Sequence, residues 1–413
     1  MELGLRQALF QDGRHLLEAL LKDAGRDLPG TQSQPGEKCH PQRLKEVQTL
    51  FGAIQIRRDY FYDPEQGRGR VPLDEALGLI DGSSPGLVRL ASRAAARCGY
   101  EGASQDLAAL AGLQIEGRQI QRLVQHSGPC VGAELQAPAP TTSEPVPLLY
   151  VEVDGTGVPM VPEELAGRPG KQADGSAKTR EAKLGCVFTQ TKTDEEGCAL
   201  RDHQSTTYVG SFDSAEPFGL KVRAEARRRG MALALVVVFL GDGAAWVWEL
   251  ARLNFPGAIC ILDFYHALEH LHQLCQSLYE KQPTWAQRMR EQWTHQLAED
   301  GVEQVMAAAR RRTLDLDPSL QEDLEKQIAY FENNKERMRY KTFRQQGYFC
   351  GSGVVEAGCK TVIGQRLKQS GMLWTEQGAQ CVINLRCALM GNRWDECWNR
   401  INHSHYLRLD AAA

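Results

Sequence analysis

Residues 147–161 read PLLYVEVDGTGVPMV. An apolar, β-branched run carries straight into Asp154, and the aspartate into Gly-Thr-Gly. Such side chains favour a pleated strand, and the glycines mark its exit, where another backbone can come close. The stretch therefore reads as a buried strand that delivers an aspartate where it leaves the core. Residues 232–248, ALALVVVFLGDGAAWVW, repeat the arrangement with Asp242.

The flanking sequence extends this pattern into a sheet. REAKLGCVFTQTKTDEEGCALRDHQSTTYVG (180–210) reads as two strands joined by an acidic turn, and FDSAEPFGLKVRAEARRRGM (212–231) as a helix with a basic end. FPGAICILDFYHALEHLHQL (255–274) is a short strand running into a helix, followed by a charged helical stretch to about 346. Antiparallel strands first and alternating units afterwards predict an α/β domain, a mixed five-stranded sheet flanked by helices. This is the element order of an RNase H-like fold with a helical insertion.

The chain divides accordingly. QAPAPTTSEPVP (136–147) is a Pro-, Ala- and Thr-rich linker. Before it, 1–48 reads as a mostly helical segment, and 49–135 as a hairpin plus helices, together a mainly helical N-terminal domain containing a β-hairpin. Within it, SQDLAALAGLQIEGRQIQRLVQH (104–126) suggests two helices around Gly112, either a plain helical hairpin or a helix-turn-helix. In the second case Arg118, Gln119 and Arg122 are candidate DNA contacts. After the linker, 148–267 is the first part of the sheet domain and 268–346 the insertion. The closing part is 347–413, with C-terminal helices.

That closing part holds GSGVVEAGCK (351–360), a glutamate, Glu356, among small and apolar residues after a glycine-rich turn. Two aspartates at strand exits and a glutamate from a first helical turn make a set of hard oxygen ligands. Converging carboxylates repel one another without cations, and such ligands favour Mg²⁺ or Mn²⁺. Two ions on Asp154, Asp242 and Glu356 suit in-line phosphoryl displacement. Either Asp-Gly alone is ordinary turn chemistry; the combination is the signal. Asp263, which also ends a strand, is the rival second aspartate.

His266, His270, His272 and Cys275 fall close together, but without an H-E-x-x-H they read as a polar helix face with His266 near the site. A structural zinc is not expected. Basic residues recur at 227–229, 310–312 and in KERMRYKTFR (335–344), and Lys360, Arg366, Lys368 and Trp374 follow Glu356. These are candidate DNA contacts.

The net charge of −4 excludes a wholly basic nucleic-acid wrapper, so any polyanion must meet local patches. Twelve scattered cysteines with no C-x-x-C pair read as reduced thiols. The charged N-terminal helix differs from a signal peptide, and no run approaches a membrane span. A cytoplasmic protein is expected.

VDGTGVP, GDGAAWVWELARLNFPGAICILDFYHALEHL and GSGVVEAGCKTVIGQRLKQSGMLW resemble DDE transposases of bacterial insertion sequences, closest to a Kra-type, distantly Mutator-like group. The resemblance runs from about Phe51 to Trp398. It implies an RNase H-like catalytic domain using two divalent metals, with Asp154, Asp242 and Glu356 as the triad. Asp263 and His266 stand as a D-x-x-H motif between the last two acids. It also implies double-stranded DNA partners, terminal repeats and target, and a homodimer or higher oligomer. Relatives carry cysteine pairs around the N-terminal hairpin; this chain has none there. A catalytically inactive DNA-binding derivative, or a nuclease without strand transfer, shares the same residues.

Overall fold

The computed structural model describes residues 1–22, 33–138, 145–170, 172, 175–314 and 316–410, so the middle half of the expected linker, 139–144, lies outside the described residues. Two compact units emerge, Met1–Ala137 with Leu373–Ala413, and Pro138–Met372.

In the first unit, β1 (Lys38–Thr49) pairs antiparallel with β2 (Gly52–Asp63), and β2 with the short β3 (Arg68–Arg70). Val47, Ile54, Ile56 and Leu73 form the small core beneath this three-stranded sheet. The strand expected at 50–64 and its return are present. The preceding segment corrects the reading of 1–48 as mostly helical: helix Glu2–Leu21 is followed by a strand from Lys38. Pro41 lacks the amide a helix needs, and pairing with β2 supplies partners that local propensity does not reveal.

The expected turn at Gly112 is present. Its φ of +71° ends the first helical segment, and Gly117–Gln136 follows. This second helix is central to the unit: Ile120, Leu123, Val124 and Val131 are buried. Helix Glu376–Met390 packs on it, with the Asn384 amide donating to the Gly128 carbonyl at 3.1 Å. The sequence groups 347–413 as one closing part; the contacts divide that stretch at 372/373.

The second unit is built on a mixed five-stranded sheet. In chain order its strands are β4 (Val146–Pro159), β5 (Thr179–Gln190), β8 (Thr207–Ser211), β9 (Ala234–Gly241) and β10 (Ile259–Leu262). A two-stranded ribbon, β6 (Lys192–Thr193) and β7 (Ala199–Leu200), forms the acidic turn between β5 and β8. The spatial order is β10-β9-β4-β5-β8. β10, β9 and β4 run parallel, while β5 is antiparallel to both β4 and β8.

Strand alternation sorts the faces. Leu149, Val151, Val153 and Phe239 pack with Phe218, Val222 and Val247, residues of the helices Ala215–Arg228 and Ala245–Asn254. Tyr150, Glu152 and Asp154 therefore point to the opposite face. There Tyr150 stacks on Phe188 at 4.8 Å and meets Phe349 edge-on at 5.3 Å. The insertion is helical, as expected: Phe264–Leu278, Pro283–Ala298, Val302–Thr313 and Pro318–Asn334.

Candidate metal centre at the strand ends

The parallel registers decide where the acids stand. Glu152 of β4 lies opposite Leu240 of β9, and Gly241 of β9 opposite Leu262 of β10. Continuing each register sets Asp154, Asp242 and Asp263 level on three adjacent strands. Neighbouring strands lie about 4.8 Å apart, so the three aspartates form a row across the sheet: Asp242 and Asp263 just past the ends of β9 and β10, and Asp154 within β4, which runs on to Pro159 instead of ending at Asp154 as its glycines suggest. The row faces the side of Glu152, away from the main core.

Glu356 approaches this face from helix Gly353–Gly358, whose Val355 amide donates to a Glu152 carboxylate oxygen at 2.8 Å. Oxygens of Asp263 and Glu356 and a ring nitrogen of His266 lie within 4.8 Å of one another. Asp154 and Glu356 are joined through a common neighbour, the buried Cys359 thiol. It donates to Asp154, and the negative charges of both Asp154 and Glu356 act on it. Among the described residues the group close enough to share one ion is thus Asp263, His266 and Glu356; Asp154 and Asp242, the other two expected acids, fall outside it.

Each group is held differently. Asp154 is half-buried, and burial raises its pKa against the Gly155 amide and the Cys359 thiol, which favour the carboxylate. Asp242 accepts the Ala244 amide at 3.0 Å. Asp263 is fully buried; burial pushes its pKa up, but hydrogen bonds from His266 and Ser352 outweigh this and hold it below the usual range. Its oxygens accept the Ser352 amide at 2.5 Å, the Ser352 hydroxyl at 2.9 Å and the His266 amide at 2.7 Å. The His266 ring nitrogen Nδ1 sits 3.2 Å from Asp263, which raises its pKa to about 9 and keeps it an imidazolium at neutral pH. Burial lowers His270 instead, with the His266 charge adding to the effect.

Sequence patterning missed four contributors. Glu152 is completely buried, and burial raises its pKa to about 8. Tyr330 comes from the insertion: its hydroxyl reaches the Asp242 carbonyl at 3.4 Å, and its ring stacks on His270 at 3.8 Å. Ser352 and Cys359 complete the set. A glutamate at an inward strand position was the only signal available for Glu152. Nothing local marks Tyr330.

The DNA-contact candidates separate by burial. Lys360 and Lys368 are exposed, and the Lys368 ammonium reaches the Thr156 hydroxyl at 2.5 Å, just past Asp154. Arg366 and Trp374 are corrections: both are buried, Trp374 packing edge-on to Tyr100. A long side chain with apolar neighbours reads alike in sequence whether its end is wet or dry. On helix Gly117–Gln136, Gln119 donates to Ser83 at 3.3 Å and Arg122 pairs with Asp81 at 2.7 Å, while Arg118 is exposed.

The donor set suits a hard divalent cation: oxygens from several carboxylates, converging on a partly dry face. No helix among the described residues is long and apolar enough to cross a membrane. A protein-family model described as an uncharacterised protein family, UPF0236, matches residues 1–175 and 224–399, which include Asp154, Asp242, Asp263, His266 and Glu356. No curated protein matches the chain.

Proposed function

We propose that this chain, which belongs to the uncharacterised protein family UPF0236, is a DNA transposase of the DDE type, built on an RNase H-like domain. One observation carries the reading: the register that lines up Asp154, Asp242 and Asp263 on adjacent strands, with Asp263 beside Glu356. The strand order, with β5 alone running against the other four strands, supports the RNase H-like assignment.

In this proposal Asp154, Asp242 and Glu356 hold Mg²⁺ or Mn²⁺. Bound there, two such ions supply an activated oxygen nucleophile and charge stabilisation for the leaving oxygen. The protein's own part is to hold the acids ready. β4 fixes Asp154 within its length, the end of β9 fixes Asp242, and Ser352, clamped by Asp263, sets the entry of the helix bearing Glu356. Lys368 lies beside Thr156, where a substrate phosphate would meet a positive charge. The space over the glycines after both aspartates is taken by side chains, Glu181 at Gly155 and Tyr330 at Gly243. The nucleophile is water in nicking and a DNA 3′-hydroxyl in joining. Two DNA ends must be brought together, so assembly of two or more copies on double-stranded DNA belongs to the same proposal.

The proximity of Asp263 and His266 to Glu356 favours a second arrangement, in which Asp263 replaces Asp242 as a ligand. The test is a Mg²⁺- or Mn²⁺-dependent nicking and joining assay on DNA taken from either side of the gene. Joined products support a transposase, and nicks alone a nuclease. Binding without cleavage in either metal overturns the enzymatic proposal. Loss of cleavage in Asp242→Asn but not in Asp263→Asn selects the first arrangement.

A further inference from the structure

Glu152 has no role in the chemistry above, yet it is a fully buried carboxyl on a central strand. One of its oxygens, Oε2, accepts the Val355 amide at 2.8 Å and lies 3.8 Å from the Cys186 sulfur. The other, Oε1, is buried with no hydrogen-bond partner. A buried polar atom left unpaired is costly, and an apolar residue would suit a central strand better.

Its partner explains the position. Val355 lies in the first turn of helix Gly353–Gly358, where amides have no acceptor within the helix. Ser352, at the N-cap, makes no capping hydrogen bond; its amide and hydroxyl both donate to Asp263, the hydroxyl also lying 3.5 Å from Glu356 Oε1. Glu152 therefore supplies from β4 the acceptor the helix lacks. The residue after Val355 is Glu356, and two residues along β4 from Glu152 is Asp154. One hydrogen bond thus ties the strand carrying Asp154 to the helix carrying Glu356. Asp263, through Ser352, ties the same helix to the end of β10.

We propose that Glu152 is a positioning residue, which sets Glu356 relative to Asp154 through the Val355 amide. The inference rests on the reading of these two acids as metal-holding groups, but its first test does not depend on metal.

Amide-resolved hydrogen exchange on the metal-free full-length protein should show Val355 protected more strongly than Gly353 and Val354 in the same turn. Equal exchange at the three amides overturns the proposal, whatever the protein does with metal. The second test compares Glu152→Gln, which keeps an acceptor oxygen, with Glu152→Met, which has similar volume and no acceptor.

Glu152→Met is expected to speed Val355 exchange and weaken Mn²⁺ binding, measured calorimetrically, by about tenfold or more each. Glu152→Gln should stay within about threefold of wild type on both. If Glu152→Met behaves as wild type, or Glu152→Gln loses as much as Glu152→Met, the proposal fails. If wild type binds no Mn²⁺, the metal reading fails, and the exchange comparison still judges Glu152. Should Glu152→Met not fold, the wild-type exchange pattern and Glu152→Gln decide alone.

Discussion

Asp154 and Asp242 stand level with each other on adjacent parallel strands, because β4 and β9 pair with Glu152 opposite Leu240. The sheet holds both carboxylates on one rigid face, where a substitution can remove charge without moving backbone.

Asp154→Asn, Asp242→Asn and Glu356→Gln are each expected to lower metal-dependent DNA nicking by roughly a thousandfold or more, with DNA binding retained. Single-turnover cleavage and fluorescence anisotropy on the same duplex check the two halves. Loss of binding in step with cleavage would assign these acids to folding or DNA contact instead.

The Asp263–His266 pair makes stability depend on pH in the metal-free protein. Folded His266 keeps its proton to about 9, above its ordinary value of 6.5. Its contribution is therefore complete below pH ~6.5 and is lost as pH rises toward 9. Urea midpoints measured across that window should fall in wild type and change less in His266→Gln. Asp263→Asn should also bring the His266 pKa down, read by NMR titration of the ring.

Gly243→Ala should destabilise the protein by about 1–3 kcal/mol in urea denaturation. The glycine has φ +99°, and an added Cβ would lie 2.8 Å from the Tyr330 hydroxyl. The same change should disturb Tyr330, so nicking should fall with stability. Unchanged stability would mean the turn after Asp242 relaxes freely.

Lys368 and Arg366 are two residues apart and should behave oppositely. Lys368→Ala should weaken DNA binding and reduce the salt dependence by about 0.9 per lost phosphate contact, with thermal stability unchanged. Arg366→Ala should cost stability, because the side chain is fully buried. A pure DNA-binding defect in Arg366→Ala would contradict that burial.

Composition and alternation made the strands legible. PLLYVEVDG and VVVFLGDG carry β-branched runs that stop at an aspartate, so both the elements and the candidate acids could be read from neighbours in the chain. Glu356 stood out for the same local reason, a carboxyl among small residues. Register was not legible, because pairing joins residues far apart in sequence. Only the folded sheet set Asp263 level with Asp242, placed it with His266 beside Glu356, and turned Glu152 toward the Val355 amide. Tertiary contacts likewise made a strand of Lys38–Thr49, gave Asp242 its Tyr330 neighbour and took Arg366 and Trp374 into the interior. Local patterns report which backbone shape and which face a residue prefers. Which partners meet on that face depends on strand pairing and helix packing, and those energies belong to pairs rather than to single residues.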